Sequence, residues 1–89
     1  MTMEALRPAE YKAQDRRTKY MTFRLIDKKP KTTEWCVENN KSGGTLGFIE
    51  WYGPWRQYVF TPLEECVFNN DCLSEIATFL TDLNARQRR

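Results

Sequence analysis

Cys36, Cys66 and Cys72 are the most nucleophilic side chains in this chain, which contains no histidine. Without imidazole, the commonest general base near neutral pH is missing, and catalysis would have to rest on carboxylates, lysines or thiols. Cys72 stands near the start of an expected helix, where the positive end of the macrodipole can lower a thiol pKa. A small core residue beside Leu73 has the same sequence signature. Glu64 and Glu65 are adjacent and follow Pro62, which suits two solvated loop carboxylates better than an acid–base pair. Ser42-Gly43-Gly44 lacks the lysine and the following helix of a phosphate-binding loop, and it reads as a hairpin turn. A structural zinc site takes about four Cys or His ligands, so three thiols fall short. Three irregularly spaced cysteines also make a poor disulfide framework, and reduced thiols are expected. The residues predict a non-enzymatic protein with no metal and no cofactor.

Aromatic residues offer a different chemistry. Six of the twelve, Phe48, Trp51, Tyr52, Trp55, Tyr58 and Phe60, fall within thirteen positions. Rings in that density can fill a core and pair across strands, or they can form an exposed patch of the kind that marks a partner site. Trp, Tyr and Arg are also the residue types richest in interface hot spots. Arg56 adds a cation among these rings.

The charge is unevenly distributed. Residues 1–31 hold nine Lys or Arg against four Asp or Glu, residues 32–85 hold two against eight, and residues 86–89 add three Arg. The formal net charge of +2 thus hides basic ends around an acidic middle. A nucleic-acid reader usually carries its basic stripe on the folded face, and here the middle has the wrong sign.

Eighty-nine residues allow one small domain. The first stretch, 1–19, is polar and basic and is expected to be a flexible or partly helical arm. Domain 20–85 follows. From Tyr20 apolar and polar residues alternate: Met21, Phe23 and Leu25 share one side of a strand. Thr33–Glu38 alternates again, with Trp35 and Val37 inward and Cys36 outward. Thr45–Tyr52 and Trp55–Thr61 form the clearest hairpin, broken by Gly53 and Pro54. Leu73, Ile76, Ala77, Leu80 and Leu83 make a helical stripe with Phe79 beside it, capped by Asp71 and ending near Asn84. Residues 86–89 are a basic tail. The expected fold is α+β: a four-stranded antiparallel meander with one C-terminal helix packed on one face.

An even hairpin loop would place Gly47, Ile49 and Trp51 on one face with Arg56, Tyr58 and Phe60. Leu46, Phe48, Glu50 and Tyr52 would share the other with Trp55, Gln57 and Val59. Arg56 would then lie opposite Trp51, close enough for a cation–π contact or simply for its stem to cover the indole. One helix covers one face only, so rings on the other side would be left for a partner. The candidate partner-binding residues are Trp51, Tyr52, Trp55, Arg56, Tyr58 and Phe60.

Leu46-Gly47, Ile49, Trp51-Tyr52, Pro54-Trp55-Arg56-Gln57-Tyr58, Phe60, Pro62, Val67-Phe68, Cys72-Leu73, Glu75-Ile76, Phe79-Leu80 and Leu83-Asn84 carry a resemblance. With them the chain resembles a group of small uncharacterised proteins encoded by bacterial viruses and prophages. The resemblance implies a mobile-element protein that acts in the bacterial cytoplasm by binding a host or viral macromolecule. An anti-defence inhibitor is one form of that role, and no catalytic residue is carried over.

Three functional readings stand at this level. The first is a binding protein that engages a host or viral protein through an aromatic sheet surface. The second is a single-strand nucleic-acid module, with stacked rings holding bases and the basic arm holding phosphates. The third is a homodimer that pairs sheet faces or edge strands. No run of about 18 apolar residues occurs, and the start carries Glu4, Arg7 and Glu10 where a secretory signal needs apolar side chains, so no membrane role and a cytoplasmic location are expected.

Overall fold

A computed structural model of the chain describes residues 15–87. The fold is α+β, with an antiparallel sheet and one C-terminal helix. The sheet runs in the order β1 (Arg16–Arg17), β2 (Met21–Lys28), β3 (Thr33–Asn39), β4 (Thr45–Tyr52) and β5 (Gln57–Pro62), each strand beside its sequence neighbour. Helix α1 spans Asn70–Gln87. The sheet therefore has five strands rather than the expected four. The extra one, β1, lies inside the stretch read as an arm, and Arg16 and Arg17 pair with Phe23 and Thr22 of β2. Its sequence carries no apolar alternation, because its partners are backbone groups and the helix. The Asp15 carboxylate accepts the Leu25 N–H at 2.9 Å, and Arg16 pairs with Asp82 of α1 at 2.9 Å. The rest of the expected arm, residues 1–14, lies outside the described residues.

The alternation read in β2 and β3 holds. Met21, Phe23, Leu25, Trp35 and Val37 are all buried on one face, with Ile49 of β4 and Tyr58 of β5 beside them. Cys36 points to the opposite face, yet it is only 5% exposed because it sits in the middle strand, level with Arg24 of β2 and Phe48 of β4. The β3–β4 turn follows its composition: Asn39 Oδ1 accepts the N–H groups of Lys41 and Ser42, and Gly43 takes a positive φ of 80°.

The hairpin differs from the expected one in two places. Gly53–Trp55 form a single 3₁₀ turn and Arg56 closes it at φ 54°, so β5 starts at Gln57 and Trp55 is not in the strand. Trp51 consequently pairs with Tyr58, not with Arg56, and the Trp51–Arg56 cation–π contact does not form. The longer loop preserves the parity of Tyr58 and Phe60 but lifts Trp55 and Arg56 off the sheet. The second difference is a register shift between Val37 and Glu38 opposite Gly47 and Thr45, which bulges Leu46 onto the helix-covered side.

The helix is capped by Asn69, not by Asp71. Asn69 Oδ1 accepts the Cys72 N–H at 2.9 Å and its carbonyl accepts the Leu73 N–H at 3.0 Å, the two bonds of an N-cap residue. Asp71 stands two residues further in, within the first turn, and still faces the positive end of the dipole. At the other end the helix passes through Asn84 to Gln87, because Asn84 is held in place by an edge-strand N–H and has no turn to form.

Packing also rotates the helix relative to its expected stripe. The buried positions are Ile76, Phe79 and Leu83. Phe79 stacks on Phe23 with ring centroids 4.2 Å apart and meets Trp35 edge-on at 4.9 Å, so the largest side chain takes the centre of the interface. Leu73 and Ala77, expected inward, are exposed and Leu80 is half-buried. A stripe that includes both Phe79 and Leu73–Leu80 is wider than one sheet contact, and the larger ring wins the deeper place.

Candidate functional site

The described surface has two distinctive places. The first grows from the displaced hairpin turn. Pro54 presets the 3₁₀ turn, and the αL residue Arg56 returns the chain to β5, which projects the indole of Trp55 outward. Trp55 is 66% exposed and Tyr52 42%, and the two rings pack edge-on with centroids 5.1 Å apart. Each ring steadies the other while leaving a face to solvent.

Below Trp55 an open groove of about 560 Å³ runs between β5 and α1. Its walls are Trp55, Val59 and Phe60 on the sheet side and Leu73, Ala77 and Leu80 on the helix side, with Gln57, Thr81 and Asn84 as polar lining. No ionisable carboxylate, lysine or arginine lines it, in a chain of which 29% is charged. The backbone of β5 forms one edge of the sheet here. Tyr58 N–H is taken by Asn84 Oδ1 at 2.7 Å and Pro62 has no N–H, so Phe60 carries the remaining outward N–H of the strand.

The six candidate residues separate. Tyr58 is 4% exposed and belongs to the core, where its ring meets Trp51 edge-on at 5.4 Å. Trp51 is half-buried against that core, and Phe60 is half-buried against Phe68 at 5.5 Å. Arg56 is exposed at the turn, and the described cation–π contacts are Arg16 over Phe79 and Lys19 over Tyr20. Trp55 and Phe60 thus line the groove together with Tyr58, Tyr52 touches Trp55 from the opposite sheet face with Glu50 nearby, and Trp51 packs behind Tyr58. The groove's helix wall was missed in the sequence, although Leu73, Ala77 and Leu80 stand at spacings of four and three.

The uncovered sheet face is mostly polar. Arg24 pairs with Glu38, whose hydrogen bond and charge raise the guanidinium pKa above its ordinary value, and Thr22 donates to Asn40 at 2.6 Å. Phe48 and Tyr52 are the rings on that face.

The second place is a basic pole. Lys28 at the end of β2, Lys29 and Lys31 of the β2–β3 turn and Arg86 at the end of α1 line one pocket of about 230 Å³. Beneath them Trp35 Nε1–H donates to Thr33 Oγ1 at 2.8 Å, and the Thr33 N–H donates to the Tyr58 hydroxyl at 3.1 Å. That hydroxyl donates to Gln87 Oε1 at 3.4 Å. These bonds tie the start of β3 and β5 to the last turn of the helix, and so bring two separate basic stretches of sequence to one end of the fold.

Among the described residues no cluster of three or more His, Cys, Asp or Glu could hold a metal, and the three cysteines are free thiols. No described helix is long and apolar enough to cross a membrane.

The chain is similar to an uncharacterised 9.3 kDa protein of Acholeplasma phage L2, at 32% identity over 73 residues, which cover 81% of this chain and 94% of the relative. No protein-family model and no solved structure matches it.

Proposed function

Since the chain belongs to the family of small phage proteins that includes the 9.3 kDa protein of Acholeplasma phage L2, we propose that it is a non-enzymatic binding protein that engages a host or viral protein. The contact surface is the Tyr52–Trp55 ridge together with the groove between β5 and α1. One observation carries this reading: Trp55 is held two-thirds exposed beside Tyr52, at the mouth of an uncharged groove. A ring fixed by a neighbour loses little conformational entropy on binding, which is what makes Trp and Tyr effective anchors. The absence of charge from the groove selects an uncharged apolar segment, because a buried unpaired charge on the partner would cost several kcal/mol, on the order of 3 to 5. Inhibition of a host defence protein is one consequence of such binding and fits a phage origin.

The test is capture from extracts of phage-infected host cells with the tagged protein, followed by a quantitative affinity for whatever is retained. Trp55→Ala and Tyr52→Ala are expected to weaken capture by about tenfold or more each, as hot-spot truncations do. Both rings are peripheral to the core, so the variants keep the fold, which circular dichroism verifies. Undiminished affinity in both variants overturns the reading.

A further inference from the structure

The basic pole is a second surface, separate from the aromatic ridge and made of residues that the sequence divides between two stretches. Lys28 ends β2 and Lys29 and Lys31 lie in the turn after it, in the basic first third of the chain, while Arg86 comes from its basic end. The fold places all four around one pocket without a single carboxylate in its lining. We propose that this pole binds the phosphate groups of a nucleic-acid strand.

Three observations support that ligand class. The four cations are exposed, so their charge is available to a ligand and not consumed in the described ion pairs, which involve Arg16 with Asp82 and Arg24 with Glu38. Their charge also outweighs the adverse end of the helix: the C-terminus of α1 contributes roughly half a negative charge, against four formal positive charges. Finally, the cations stand on two elements around a mouth and do not converge on one point, which suits successive phosphates along a strand better than a single ion. The floor is neutral and polar, and the hydroxyls of Thr33 and Tyr58 there are engaged with each other and with Trp35 and Gln87, so the cations carry the phosphate contacts. Asp27 and Glu34 pair next to Lys28 and Thr33 at the base of the pole, so the four cations act against two neighbouring carboxylates that do not line the pocket.

The rigidity of the pole comes from below. The Trp35–Thr33–Tyr58–Gln87 chain of hydrogen bonds joins β3, β5 and α1, so the turn and the helix end keep a fixed separation. A strand that contacts both is therefore bound in one register without ordering a loop.

The experiment is fluorescence anisotropy of a labelled single-stranded oligonucleotide of about 20 nucleotides titrated with the full chain at several salt concentrations. Four phosphate contacts predict a slope of log K against log salt of about −3 for a single strand. The double variant Lys29→Glu/Lys31→Glu and the single variant Arg86→Glu are expected to weaken binding by at least about tenfold and about threefold, and to make the slope shallower by roughly 0.7 for each phosphate no longer neutralised. Lys41→Glu, an exposed cation of the β3–β4 turn outside this pocket, makes the same change of charge per residue and is expected to leave affinity within about twofold. Equal weakening in Lys41→Glu, or unchanged affinity in the pole variants, overturns the proposal. Displacement of the oligonucleotide by inorganic phosphate, but not by chloride at matched ionic strength, overturns it in favour of a free-phosphate site. Lys29 and Lys31 are exposed turn residues, and thermal melts of each variant show whether the fold is kept.

Discussion

Asn84 Oδ1, on the helix, accepts the backbone N–H of Tyr58, on the edge strand, at 2.7 Å. One side chain thereby closes an edge donor, aligns α1 along β5 and opens the groove on the side of the helix that remains uncovered. The bond spans 26 residues of sequence, and neither partner announces the other.

Asn84→Ala removes that acceptor and leaves the Tyr58 amide at an open edge. We expect a loss of about 1 to 2 kcal/mol in urea unfolding and faster hydrogen exchange at Tyr58 than at Val59, whose N–H bonds across to β4. An exchange rate at Tyr58 equal to the wild type would show that the edge is protected by something other than Asn84.

The N-cap distinguishes two neighbouring residues. Asn69→Ala should cost about 1 kcal/mol, because it removes the bond to Cys72 N–H, whereas Asp71→Ala should cost only a few tenths through the dipole. Chemical denaturation of the pair reads the order, and the reverse order would return the cap to Asp71.

Gly47 sits opposite Pro62 in the closest part of the β4–β5 pair. A Cβ there would lie 2.5 Å from the Thr61 carbonyl oxygen and 2.8 Å from the Phe60 ring. Phe60 could turn aside but the carbonyl could not, so Gly47→Ala is expected to destabilise by about 2 kcal/mol or more. Shrinking the ring in the same background should not restore the loss. A melting temperature unchanged by Gly47→Ala would mean that β4 and β5 separate here at little cost.

Thiol accessibility tests the middle of the sheet. Cys66 and Cys72 are half-buried while Cys36 is enclosed between Arg24 and Phe48. A small disulfide reagent should label two thiols in the native state and the third only on unfolding, with Cys36 identified as the slow site by peptide mapping. Rapid native labelling of Cys36 would require β3 to lie at an edge.

Exposed salt links carry less weight. The Arg24 pKa is raised by Glu38, so any stability from its charge is present throughout the range below the ordinary arginine value and would be lost only as pH climbs past it. Between about pH 6 and pH 9 Arg24 keeps its charge, and Arg24→Gln should alter the melting temperature only slightly, at any pH in that window. A marked pH-dependent difference between wild type and variant in that range would indicate a partner other than Glu38.

Local signals in the chain were sufficient for the strands β2 to β4, the meander, the terminal helix and the class of fold. Each rests on alternation or on spacing of three and four, and such periodicities record which side of an element meets the core. They also carried the parity of Tyr58 and Phe60, because period two survives any loop of matching evenness. What those signals could not contain was the outcome of competition between parts distant in sequence. Phe79, expected beside the helical stripe, took the central place under Phe23 and Trp35, and Leu73 and Ala77, expected within the stripe, were left exposed, since the larger stacked ring excludes more water. That rotation left Leu73 and Leu80 beside Trp55 as a groove, and the 3₁₀ turn at Gly53–Trp55 carried Trp55 off the sheet. The same folding carried Arg86 to Lys28–Lys31. Both candidate surfaces are therefore products of packing between elements, for which no single segment holds the information.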